Sequence, residues 1–277
     1  MSVPEIRLVG LDLDGTVFTN DKRITPRTLA AIQKAIAKGV IVIPATGRPL
    51  SGLPEAFARM PGVEYALTSN GAAVWHLPAR RKLVDLPLSA AHTLAAYALL
   101  EAFDCMPDVY WDGRAHTSPE RLARLEEFAP PEMVEYVRST RTAVPNLAHY
   151  IRENGIRAEK VTAFFKTPAQ RVEAMEAAGQ LPFLVPTSSI PNNIELNEAG
   201  VHKGVGLVKL AETLGFSAEN VMACGDGGND VEMLRAVGLG VAMGNAPDEV
   251  KRAARDVTDT NERDGVAKAL EKWLNLV

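Results

Sequence analysis

Residues 8–16 read Leu-Val-Gly-Leu-Asp-Leu-Asp-Gly-Thr, an apolar run that stops on two carboxylates, a glycine and a threonine. Asp12 and Asp14 have the period-two spacing that puts both side chains on the same side of a strand end. Carboxylates held that close repel each other, so such a site must supply a cation, a proton or both. One Asp-Gly alone would be a plain turn. A second acidic, glycine-rich segment stands far downstream at 223–230, Ala-Cys-Gly-Asp-Gly-Gly-Asn-Asp. Two such strand ends in one chain suggest a split metal and phosphate site.

The polar residues at the ends of the expected core strands are Asp12, Asp14, Thr46, Asn70, Asp226, Asn229 and Asp230. In a doubly wound sheet they converge on one crevice beyond the carboxyl ends of the strands. Carboxylates beside hydroxyl, amide and glycine-rich backbone groups suit Mg2+, which takes hard oxygen ligands and keeps several waters. Gly15, Gly47 and Gly71 lack a Cβ, so their amides could approach a phosphate closely. A further cation is needed, because each like-charge pair at about 4 Å costs roughly 4 kcal/mol at an effective dielectric near 20. Lys203 or Arg48 could supply it, and with Mg2+ would let a carboxylate attack phosphorus. The five histidines, His76, His92, His116, His149 and His202, are scattered singly and give no zinc pattern.

These residues need rigid elements to hold them. The first 85 residues alternate buried strands with helices. Strands are expected at 6–11, 40–45 and 65–68, and helices at 26–38 and 49–60, the first opened by Thr25 as N-cap and Pro26 at its first position. Such alternation argues for a parallel sheet covered on both faces. From about residue 86 the character changes to helix-plus-strand groups. These comprise helices at 89–103, 119–128, after Pro145 and at 168–178, with strands at 108–112, 160–165 and 181–186. The core pattern resumes with a helix at 203–214, strands at 221–224 and 238–243, and helices at 230–236, 247–254 and 265–273. The expected fold is therefore α/β, a doubly wound, Rossmann-like parallel-sheet core with an inserted α+β cap. The core is placed at 1–85 and 191–277 and the cap at 86–190, with Pro87 and Pro191 near the hinges.

Composition narrows the function. The chain has 277 residues, enough for one large domain or two modest ones. A net charge of −4 gives no general attraction to nucleic acid or anionic membrane. No apolar run reaches the ~18 residues of a membrane span, and no leader opens the chain. Cys105 and Cys224 are the two cysteines, assigned to different domains, so no disulfide is expected, and Cys224 reads as a small buried residue. A reduced, cytoplasmic protein, monomeric or a homodimer, is the expectation.

Taken in order, Asp12-Leu13-Asp14-Gly15-Thr16, Thr46-Gly47-Arg48, Lys203-Gly204 and Gly225-Asp226-Gly227-Gly228-Asn229-Asp230 resemble the four motifs of the haloacid dehalogenase-like phosphatases. Ser69-Asn70-Gly71-Ala72 and Gly200-Val201-His202-Lys203-Gly204 are further similar to its Cof-type branch, which carries a large cap between the second and third motifs. The resemblance implies that Asp12 is the nucleophile and Asp14 the general acid and base. It implies that Thr46, Asn70 and Lys203 hold the phosphoryl oxygens, with Asn229 assisting and Arg48 facing the substrate. Mg2+ would be held by Asp12, the Asp14 backbone carbonyl and Asp226, with Asp230 as outer ligand or positioner. Transport ATPases resembling the first motif carry threonine where Asp14 stands, so an aspartate there implies turnover by hydrolysis or transfer. Val17-Phe18 and Ile194-Glu195-Leu196-Asn197 depart slightly from the family's pattern and bear on substrate fit, not on chemistry.

The activity so implied is Mg2+-dependent hydrolysis of a small phosphorylated metabolite, a sugar phosphate or phosphorylated cofactor, through an aspartyl-phosphate. A phosphomutase needs the same four motifs. A non-catalytic phosphometabolite sensor would not need a carboxylate at position 14. In the cap, Tyr110, Trp111, Arg114 and His116 are candidates for leaving-group contacts, although aromatics alternating in a strand usually pack a domain's own core. Arg138 and Arg141 are similar candidates, expected to be solvated.

Overall fold

The computed structural model describes residues 5–276, which divide into two compact units. The first unit joins the chain up to Thr46 with Pro54–Val84 and the chain from His202 onward. Its centre is a five-stranded sheet in the order Asp256–Val257, Leu239–Ala242, Val221–Gly225, Leu8–Leu11, Ile41–Pro44, with every pairing parallel. Leu8–Leu11 is buried throughout, as a strand covered on both faces should be. Leu11 lies opposite both Pro44 and Cys224, so the three central strands end level with one another. The residues that follow them, Asp12, Thr46 and Asp226, therefore leave the sheet at one edge.

Helices cover the sheet as the apolar spacing predicts. Pro26–Ala37 starts with the Thr25 side chain accepting from the Thr28 amide, and buries Ala31, Ile32 and Ala35. Lys203–Thr213 packs Leu207 against Gly10, where a Cβ would come within 2.6 Å of the leucine. That close approach sets the height of the helix over the central strand, and with it the position of Lys203 at the helix start.

Two expectations about this unit change. Instead of one helix over 49–60, there is a single 3-10 turn at Leu50–Gly52 and a one-turn helix at Glu55–Ala58. Pro54 lies between them, and a proline disfavours helical backbone in the residue before it. The strand Tyr65–Thr68 is present, but it heads an antiparallel three-stranded sheet with Ala73–His76 and Arg81–Asp85. It meets the parallel sheet through one bridge, Ala45 to Leu67.

The second unit comprises Gly47–Leu53 and Asp85–Val201. Its six-stranded sheet runs in the order Leu184–Thr187, Asn193–Glu198, Lys160–Phe165, Cys105–Trp111, Arg114–Thr117, Arg141–Ala143. Residues 191–201, placed with the core from the sequence, belong here because Asn193–Glu198 pairs antiparallel with strands on both sides. One parity of the sheet is apolar: Cys105, Val109, Val161, Ala163, Phe165, Ile194 and Leu196 form a core with Ala96, Tyr97, Leu100, Ala174 and Ala178 from the helices. The opposite parity carries buried polar residues, among them Asp108, Lys160, Glu195 and Asn197. Arg141, expected to be solvated, is buried, and its Nε donates to Asp108 at 2.8 Å while an Nη donates to the Tyr110 hydroxyl. Both cysteines are free and buried.

Candidate active site

The strand ends of the first unit are tied together by backbone hydrogen bonds. The Asp12 amide donates to Cys224 O at 3.0 Å, the Ala45 amide to Leu11 O at 2.7 Å, and the Thr46 amide to Leu67 O at 2.9 Å. The Asn70 amide then donates back to Thr46 O. Ser69, Asn70 and Gly71 take successive positive φ values of 52°, 58° and 97°. Two buried non-glycine residues in that region are a strained arrangement of the kind concentrated at functional sites. At Gly71 a Cβ would meet the His202 carbonyl oxygen at 2.3 Å, so glycine is what lets this turn lie beside the start of the Lys203 helix. Asn229 Nδ2 donates to Asn70 Oδ1 at 3.4 Å, bringing the last motif to the same place.

At the centre sits Lys203, with no exposed surface. Its ammonium donates to Asp12 Oδ1 at 2.6 Å and to Asp230 Oδ1 at 2.7 Å. Asp230 turns its other oxygen to the Asp226 and Gly227 amides at 3.0 and 2.9 Å, which folds the acidic loop over its own carboxylate. Thr16 Oγ1 donates to Asp226 Oδ1 at 2.8 Å. Burial raises Asp12 well above the ordinary carboxylate range; Lys203 opposes the rise, while Asp230 and Asp226 add to it. Burial likewise pushes Asp226 up to about 6, against the Thr16 hydrogen bond. Lys203 is held above the usual ammonium range, because its two carboxylate partners outweigh the lowering effect of burial.

Carboxylate oxygens of Asp12, Asp226 and Asp230 all lie within 4.8 Å of one another. One ammonium faces three carboxylates, a surplus of negative charge that adds to the rise burial imposes on Asp12 and Asp226. An all-oxygen donor set with that surplus fits a hard divalent cation such as Mg2+ and does not fit zinc. Asp12 and Asp226 would be the ligands, since Asp230 is already committed to the Lys203 ammonium and to two backbone amides of its own loop.

Other residues proposed from the sequence lie differently. The Asp14 side chain is exposed and outside the acidic cluster, with Lys22 Nζ 2.8 Å from its Oδ1. Gly47 and Arg48 follow Thr46 directly, yet pack with the second unit. There Lys160 Nζ donates to Gly47 O at 2.6 Å, and the Arg48 guanidinium lies 5.0 Å from the Tyr136 ring centroid. Trp111 stacks on His116 at 3.3 Å, and Tyr110 is buried against Arg141, so these aromatics pack within their own unit. Arg138 pairs with Glu126 at the surface. Thr16, Lys22 and Lys160 were not singled out from the sequence. Thr16 lies inside the first motif and could have been, whereas Lys22 and Lys160 carry no local signal.

Comparison with known proteins agrees with this geometry. Residues 9–270 match the family described as haloacid dehalogenase-like hydrolase. The chain is 32% identical over 271 residues to 5-amino-6-(5-phospho-D-ribitylamino)uracil phosphatase YcsE of Bacillus subtilis, covering 98% of this chain and 96% of that one. It is 29% identical to pyridoxal phosphate phosphatase YbhA of Escherichia coli, over 97% and 98% of the two chains. Among solved structures, a haloacid dehalogenase-like hydrolase from Bacteroides thetaiotaomicron superposes with a TM-score of 0.79 at 25% identity, covering 97% and 99%. Another, from B. subtilis, gives 0.82 at 24% identity over 96% and 99% of the chains, a likeness of fold. With the match running through nearly the whole chain, the protein belongs to the haloacid dehalogenase-like hydrolase family.

Proposed function

We propose that the protein is a Mg2+-dependent phosphatase of small phosphomonoesters, working through an aspartyl-phosphate on Asp12. The observation that carries this reading is the buried Lys203 joined to both Asp12 and Asp230. A fully buried lysine that takes one oxygen from each of two carboxylates fixes a nucleophile and neutralises charge where a phosphoryl dianion must arrive.

In the proposed reaction the free Asp12 oxygen attacks phosphorus while Lys203 keeps the carboxylate oriented and ionised. Thr46, Asn70 and Asn229, with the glycine amides of their loops, orient the phosphoryl oxygens. Asp14, outside the acidic cluster, hands a proton to the departing alkoxide and later takes one from the water that cleaves the aspartyl-phosphate. Mg2+, held by Asp12, the Asp14 carbonyl and Asp226, would supply charge neutralisation between nucleophile and phosphoryl group. The second unit serves in this reading as the cap that selects the leaving group. Two of the relatives are named for esters in which a phosphorylated side chain is attached to a nitrogen heterocycle. Phosphorylated cofactors and their precursors are accordingly the substrates to try first, with sugar phosphates beside them.

A panel of such esters incubated with the protein and Mg2+ tests the reading. Release of inorganic phosphate, with kcat/KM separating the members of the panel, is expected. Conversion to an isomeric ester without release would make the enzyme a phosphomutase. Binding without turnover would make it a sensor.

A further inference from the structure

We propose that Asn245 is a positioning residue of the metal site, acting through Asp226 and the Gly15 carbonyl. This rests on the reading of Asp226 as a metal ligand, and the test below separates the two.

Asn245 Nδ2 donates to Gly15 O at 2.9 Å and reaches Asp226 Oδ2 at 3.3 Å. Its Oδ1 accepts from the Asn261 amide at 3.0 Å. A backbone amide can only donate, so the Asn261 contact fixes which end of the carboxamide is oxygen and leaves the nitrogen facing Gly15 and Asp226. The side chain is exposed and could have been satisfied by water, yet both of its ends are committed to protein groups. Asn261 is in turn anchored, with its Nδ2 donating to Phe18 O at 3.0 Å and to Asn20 Oδ1 at 3.2 Å. Asn245 thus joins the loop after the first strand to the acidic loop after Val221–Gly225.

The consequence falls on Asp226. Thr16 holds one of its oxygens and Asn245 the other, while Gly15, at φ +83°, lies so close that a Cβ would come within 2.2 Å of Asp226 Oδ2. Hydrogen-bond partners of this kind orient a metal-binding carboxylate, and removing one typically weakens metal binding about 10–100-fold. The backbone around Asn245 is placed independently of its side chain, since the Met243 amide donates to Gly225 O and the Gly244 amide to Asp259 O, both at 3.0 Å. Removing the side chain should therefore spare the fold and loosen Asp226.

The experiment measures Mn2+ binding to the full chain by titration calorimetry for the wild type, Asp226→Asn, Asn245→Ala and Asn245→Leu, with melting curves of the metal-free proteins. Asn245→Leu is close to isosteric and removes the donor and the acceptor without adding a charge beside Asp226. We expect both Asn245 variants to melt as the wild type does without metal and to bind Mn2+ about 10–100-fold more weakly. Wild-type affinity in either one, with binding lost in Asp226→Asn, overturns the role of Asn245 and leaves the metal site standing. Equal binding by wild type and Asp226→Asn overturns the metal reading and this inference with it.

Discussion

Lys203 and Asp12 form a buried ion pair, 2.6 Å between Nζ and Oδ1, across 191 residues of sequence. Neither partner suits the interior alone. Lys203 has no exposed surface, and Asp12 is raised by burial toward the protonated form that cannot attack phosphorus. Each charge is held in place by the other, with Asp230 as the third member.

Lys203→Met removes the ammonium that binds Asp12 and Asp230 and leaves both carboxylates buried without it. Breaking a buried pair by removing one partner costs about 3–5 kcal/mol. We expect a loss of that order in urea unfolding, together with a fall in hydrolysis toward background. A variant as stable and active as the wild type would show that the pair is dispensable.

Asp14→Asn should separate proton transfer from metal binding. The Asp14 carboxylate stands outside the cluster formed by Asp12, Asp226 and Asp230, so its loss should leave Mg2+ affinity unchanged. Proton transfer by a positioned side chain is worth about 10²–10⁴-fold, and kcat should fall by that much. Steady-state kinetics at several Mg2+ concentrations read both quantities. A large rise in the Mg2+ requirement would place the Asp14 side chain on the metal.

Acid should weaken metal binding through Asp226. In the metal-free protein burial raises its pKa to about 6. Above that value it is a carboxylate and available to a cation. Below it the proton competes, so Mg2+ affinity should fall as pH drops from 7 through 6 toward 5. For folding the sign is reversed, because the native state then binds more protons than the unfolded chain between the ordinary value and about 6. Without metal, this group therefore contributes relative stability as pH falls through that window. Isothermal titrations of Mg2+ at a series of pH values check the first effect, and chelated samples check the second.

How much of this was legible in the sequence depends on distance along the chain. Asp12, Thr46, Lys203 and Asp226 each stand at the end of an apolar run or the start of a helix, a local pattern that needs no tertiary knowledge. The parallel order of the strands follows from the same alternation. Asn245 and Lys160 could not be found that way, because their partners lie 19 and 230 residues away for Asn245 and 113 for Lys160. Arg141 looked like a solvated charge because its buried partner, Asp108, is supplied by a strand 33 residues earlier. The expected helix over 49–60 failed at Pro54, a local signal present in the sequence. Residues 191–201 were assigned to the core with Pro191 as the hinge, whereas strand pairing with Lys160–Phe165 and Leu184–Thr187 takes them into the second unit.

The covalent role of Asp12 is the centre of this account, and rapid acid quench during a single turnover tests it most directly. With a radiolabelled phosphomonoester and Mg2+, we expect protein-bound phosphate that maps to the peptide carrying Asp12. It should accumulate to a higher level in Asp14→Asn, where dephosphorylation is slowed, and be absent from Asp12→Asn. Release of inorganic phosphate at full rate with no label on Asp12 at any time would contradict the account.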